Sequence, residues 1–84
     1  MNEYILVEFD ENREVIIDET ASGYYTGDVI ELGAGTHTIS LEGPKNFSPL
    51  EQDINPSGTS SIKPLPIPFF KDTHTWKQYK EPVR

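Results

Sequence analysis

His37 and His74 are the only imidazoles in a chain of 84 residues that contains no cysteine, so no thiolate nucleophile, disulfide or cysteine-ligated zinc site is available. Asp10, Asn12 and Glu14 recur at every second position, as do the first ligands of a calcium loop. The sixth loop position would then be Val15 rather than the glycine the sharp turn needs, and the twelfth would be Ala21 rather than a bidentate glutamate, so the spacing does not make a calcium site. No glycine-rich phosphate loop precedes a helical pattern, there is no His-Glu-x-x-His, and serine, histidine and aspartate occur only scattered. Fourteen carboxylates offer many acid and base pairs, yet a domain this small has little volume for the closed pocket that would push one carboxyl pKa upward. The expectation is a non-catalytic protein with no metal and no cofactor.

Aromatic side chains are the remaining candidates for recognition. Tyr24, Tyr25, Phe47, Trp76 and Tyr79 would suit a platform for sugar rings, because aromatic faces offer apolar surface with a polar rim. The alternative role of Tyr24 and Tyr25 is to cap one open end of the sandwich. His37 opens an alternating apolar stretch directly after a glycine turn, which suits packing at the end of a sheet and hydrogen bonding to a loop carbonyl.

These residues must be positioned by strands. Residues 4–9 and 14–18 are β-branched and aromatic runs separated by the polar Asp10-Glu11-Asn12-Arg13, which predicts a hairpin. Ile5, Val7 and Phe9 share one face of the first run, and Val15 and Ile17 share one face of the second. Thr20 to Gly27 carries no apolar period and reads as a connection. Asp28 to Leu32 resumes as a strand. Gly33-Ala34-Gly35 reads as a tight antiparallel reversal, and Thr36 to Glu42 alternates strictly, with His37, Ile39 and Leu41 on one face. Gly43-Pro44-Lys45-Asn46 closes that strand and another follows at about Pro49 to Ile54.

In Lys63-Pro64-Leu65-Pro66-Ile67-Pro68-Phe69-Phe70 proline recurs every second residue, whereas a polyproline helix repeats every three. Alternate amides of a strand point to the same side. Pro64, Pro66 and Pro68 therefore strip donors from one edge and leave Leu65, Ile67 and Phe69 to pair on the other, which predicts a one-sided edge strand. Together these elements make an all-β fold: a small antiparallel β-sandwich of six to seven short strands over residues 1–70, with an irregular or short-helical C-terminal tail over 71–84. Trp76 and Tyr79, three apart, would share one side of a short helix there.

The net charge of −7 argues against binding a phosphate backbone, and the charge is uneven. Residues 1–62 hold twelve acids against Arg13 and Lys45, while residues 63–84 hold five bases and two acids, so the basic end suits either the chain's own acidic face or an acidic partner. No apolar run approaches the roughly 20 residues of a membrane helix, and the amino terminus has neither a basic segment nor a cleavage site. That predicts a chain that is cytoplasmic as written, or one of the cell envelope if it was cut from a longer protein.

Val15-Ile16-Ile17-Asp18, then Gly23 and Thr26, then Ile30-Glu31-Leu32-Gly33-Ala34-Gly35-Thr36-His37-Thr38-Ile39-Ser40-Leu41 resemble the PEGA domain, a small bacterial and archaeal β-sandwich module, over about residues 14–70. Glu19 stands where that family commonly has glycine, and Gly27 where it commonly has proline. The resemblance implies a non-catalytic interaction module and supplies no catalytic residues. The leading expectation is thus protein–protein interaction or self-association, with carbohydrate binding through the exposed aromatics as the alternative. Tyr4 and Leu6 add a second face of apolar residues to the first strand and mark it as a candidate strand-edge contact.

Overall fold

The structure, a computed structural model, describes residues 2–71. Strand β1 (Asn2–Glu8) alternates as its sequence dictates: Glu3, Ile5 and Val7 are buried, while Tyr4 and Leu6 are half-buried on the opposite face. It is followed by β2 (Glu14–Ile17), β3 (Thr20–Tyr25), β4 (Val29–Gly33), β5 (His37–Leu41), β6 (Phe47–Ser48), β7 (Gln52–Ile54), β8 (Leu65–Pro68) and β9 (Phe70–Lys71). The strands form a three-stranded sheet of order β4-β1-β8, a four-stranded sheet of order β3-β2-β5-β7 and the small pair β6-β9.

The inward residues of the two larger sheets meet in one core. Ile5, Val7, Ile30 and Ile67 come from one sheet, and Val15, Ile39, Leu41 and Ile54 from the other, with Phe47 and Phe69 completing it. Each such side chain contributes about 1.5–3 kcal/mol when fully withdrawn from water. The all-β sandwich read from the sequence is therefore the fold, with nine strands among the described residues because two-residue pieces at Phe47 and Phe70 also pair.

Several local expectations are corrected. The runs of β1 and β2 do not form a hairpin: β1 pairs antiparallel with β4 and parallel with β8, so both of its edges are occupied and the Phe9–Arg13 segment crosses between sheets. Gly33-Ala34-Gly35 likewise joins strands of different sheets rather than reversing within one, with Gly35 at φ +117. Thr20 to Tyr25 is a strand rather than a connection. Its side chains are mostly exposed, so no apolar period marked it. It returns from β2 through a two-residue turn, Asp18-Glu19, at φ 52 and 67, the positive values a type I′ hairpin requires and non-glycine residues rarely adopt.

The proline strand lies where the donor count places it. Among the described residues β8 is an edge of its sheet with β1 as its one strand neighbour, and the Phe69 amide donates to the Glu8 carbonyl at 2.8 Å. Its pairing is parallel, however, since β8 arrives from the long 55–64 loop and runs in the direction of β1. Trp76 and Tyr79, and the tail beyond Lys71, lie outside the described residues.

Candidate functional site

Arg13, the residue just before β2, is the polar hub of one end of the sandwich. Its Nε donates to Glu11 Oε1 at 2.9 Å, Nη1 donates to the carbonyls of Glu42 at 3.1 Å and Pro44 at 3.0 Å, and Nη2 donates to Asn46 Oδ1 at 2.8 Å and to the Glu11 carboxylate. Those five bonds use the full donor fork of a guanidinium. The same group lies 5.4 Å from the centre of the Phe9 ring and 6.0 Å from that of Phe47, a cation–π arrangement. Thr26 locks the backbone behind it: Thr26 Oγ1 accepts from the Arg13 amide and donates to the Glu11 carbonyl, and the Thr26 amide donates to the Arg13 carbonyl. Lys71 binds the other oxygen of Glu11, so Lys71 first and Arg13 second hold the Glu11 carboxyl below its usual range.

The opposite end of β2 carries a second cluster. Asp18 Oδ1 accepts from the Thr38 amide at 3.0 Å and Asp18 Oδ2 faces His37 Nδ1 at 2.8 Å, while His37 Nε2 faces the Gly33 carbonyl at 2.7 Å. Both ring nitrogens meet acceptors, so the ring is best satisfied as the doubly protonated imidazolium. Its pKa is raised by Asp18 and then by Gly33, and that of Asp18 is lowered by the Thr38 amide and then by His37. This cluster ties the β2–β3 turn to β5 and to the end of β4, across both sheets.

Glu3 is the one buried charged side chain among the described residues, 7 % exposed. Its Oε1 accepts from the Thr59 hydroxyl at 2.6 Å and the Thr59 amide at 2.9 Å, and these bonds lower its pKa. The Thr59 hydroxyl in turn accepts from the Tyr4 amide at 2.6 Å, so one threonine closes the edge of β1 that β8 does not reach. A buried carboxylate without such donors would be costly.

The aromatic platform is divided by the structure. Tyr24 and Tyr25 are exposed, at 40 % and 43 %. Phe47 is removed from it: only 1 % exposed, it packs edge-on against Phe9 at 5.8 Å and Phe69 at 5.6 Å beneath Arg13, because burying that ring completes the core. Trp76 and Tyr79 fall beyond Lys71 and are not among the described residues. Tyr4 and Leu6 offer no strand edge, since β1 is the middle strand of its sheet. They belong instead to the outer face of that sheet. There Leu6 stands in register between Val29 of β4 and Pro66 of β8, both exposed, with Tyr4 one pleat along. Glu14, from the calcium-like spacing, caps the Gly23 amide at 2.9 Å, and among the described residues no three histidine, aspartate or glutamate side chains gather to hold a metal ion.

Sequence reasoning passed over Arg13, Glu3 and Thr59. Arg13 had one visible signal, being one of two bases in the first 62 residues among twelve acids. Nothing local marks Glu3 and Thr59, which are 56 positions apart. Compared with protein-family models, with curated proteins and with solved structures, the chain matches none.

Proposed function

We propose that this chain is a non-catalytic binding module, PEGA-like in kind, that holds a protein partner against the outer face of its three-stranded sheet. The observation that carries the reading is the row Val29–Leu6–Pro66, apolar across all three strands on the solvent side, with Tyr4 beside it. Contiguous exposed apolar surface of that kind marks interaction sites rather than ordinary surface. The polar clusters support the same reading, because Arg13, His37 and Glu3 each spend their hydrogen bonds inside the molecule.

The test is sedimentation and affinity capture with the wild-type chain, Leu6→Lys and Tyr24→Ser. Leu6→Lys is expected to abolish an identified complex while costing folding stability only about 1 kcal/mol, the usual effect of a single substitution outside the core. A complex that survives Leu6→Lys and is lost with Tyr24→Ser overturns this reading. It would favour the second one, glycan binding at Tyr24 and Tyr25, which stands on their shared exposure in the bulged part of β3.

A further inference from the structure

The two larger sheets have four outer edges; those of β8 and β3 are closed by different means, and that of β7 is only three residues long. On β8 the edge amides are those of Pro66 and Pro68, which have no N–H to donate. At β7 the Gln52 side-chain amide crosses to the Pro68 carbonyl at 2.6 Å and joins the two sheets. On β3 three successive amides are taken by side chains: Gly23 by Glu14 at 2.9 Å, Tyr24 by Ser22 at 3.1 Å and Tyr25 by Asp28 at 2.9 Å. Ser22 also donates to the Val15 carbonyl, so the bulge of β3 satisfies itself and bends away from pairing.

β4 is the longer open edge, five residues from Val29 to Gly33. The Glu8 carbonyl accepts from Phe69 and the Tyr4 amide donates to Thr59, so the even-numbered residues of β1 turn their backbone groups toward the β8 side and Glu3, Ile5 and Val7 turn theirs toward β4. The residues opposite them, Ile30 and Leu32, therefore complete that ladder, and Val29, Glu31 and Gly33 direct their backbone groups away from the sheet. The Gly33 carbonyl is claimed by His37. Val29 and Glu31 keep both N–H and C=O on the outward edge, and among the described residues β4 has no strand neighbour there.

We infer that the outer edge of β4 accepts one extended segment of a protein partner by strand addition, and that this segment carries an apolar residue and a basic residue two positions apart. The inference rests on the interaction-module reading above and names where the partner enters and what chemistry it brings. Main-chain hydrogen bonds to Val29 and Glu31 supply the attachment, as in other β-augmentation sites. Side chains two apart on the added strand fall on one face, next to Val29 and Glu31. The exposed Val29 extends the Leu6–Pro66 row and takes the apolar residue, while the exposed Glu31, whose Oε2 accepts from Asn2 Nδ2, takes the base. The net charge of −7 favours approach of such a segment. A symmetric pair of β4 strands centred on Glu31 would set two carboxylates opposite each other, which disfavours a second copy as occupant in that register.

The experiment is an amide NMR titration of the full chain with the synthetic peptide Val-Thr-Lys-Thr-Val-Thr-Lys and its counterpart with glutamate in place of lysine. The lysine peptide should shift the amides of Val29, Glu31 and Gly33, protect them from exchange and bind about tenfold or more tighter than the glutamate peptide at low salt. Glu31→Pro removes one outward donor without touching the β1 ladder, as prolines already do on β8, and should reduce binding by at least about tenfold with the rest of the spectrum unchanged. Glu31→Lys keeps the donor and should reverse the preference between the two peptides. Wild-type binding by Glu31→Pro, with its spectrum intact, overturns the edge. If Leu6→Lys then removes that binding, the face reading survives without the edge. If neither variant matters, both fall. Concentration-dependent changes of the β4 amides without peptide would name a second copy as the occupant and overturn the inference.

Discussion

His37 stands 2.8 Å from the Asp18 carboxylate through Nδ1, and its other nitrogen faces the Gly33 carbonyl at 2.7 Å, so one ring joins the β2–β3 turn to the end of β4. The pair sets a pH window. The His37 pKa is raised from 6.5 by Asp18 and then Gly33, so its contribution to stability is full below 6.5 and is lost as pH rises through the folded value. That of Asp18 is lowered from 3.8 by the Thr38 amide and then His37, so its contribution is full above 3.8 and is lost as pH falls through the folded value. Stability measured by urea denaturation should be highest between these limits. Asp18→Asn should bring the His37 imidazole titration, followed by NMR, back toward 6.5. An unchanged titration would mean that the pair is not formed in solution.

Arg13 makes five hydrogen bonds to four acceptor atoms at once, and a lysine cannot reproduce that fork. Arg13→Lys should cost roughly 1–3 kcal/mol and Arg13→Ala roughly 3–5 kcal/mol, since the latter leaves Glu11 and the loop carbonyls short of donors. A domain of this size has about 4–12 kcal/mol in total, so the alanine variant should unfold at a clearly lower urea concentration than the wild-type chain, followed by circular dichroism.

Phe47 and Tyr24 were equivalent members of one aromatic set in the sequence and should separate sharply on mutation. Phe47→Ala should lose about 3–5 kcal/mol in thermal or chemical unfolding, whereas Tyr24→Ser should stay within about 0.5 kcal/mol. Equal losses would contradict the burial of Phe47 and the exposure of Tyr24.

Glu19 sits at φ 67 in a turn whose second position favours glycine. Glu19→Gly should therefore stabilise the chain by up to about 1 kcal/mol, read as a rise in denaturation midpoint. A loss of stability would show that the Glu19 side chain matters more than its backbone.

Pro66 and Pro68 leave the outer edge of β8 without donors at those positions. Replacing both with valine should keep the pairing to β1, because Ile67 and Phe69 retain their amides, and expose new N–H groups on the far side. The variant should aggregate at concentrations where the wild-type chain remains dispersed by light scattering.

The residue pattern alone determined that this is a β protein, which side chains of β1, β2 and β5 face inward, and that the proline strand Leu65–Pro68 is an edge strand. Those properties are local: side-chain alternation and the missing proline donor act within a few residues, whatever the strand lies beside. Tertiary structure decided the partners. A run such as Tyr4 to Phe9 reads the same whether the next turn returns it along its own sheet or carries it to the facing one, and only the competition of β4 and β8 for the two edges of β1 resolved that choice. The exposed β3 had no apolar period to betray it, and the junctions of Arg13 with Asn46 and Glu3 with Thr59 join residues 33 and 56 positions apart. Such contacts form only after both sheets have come together, so no spacing along the chain could announce them.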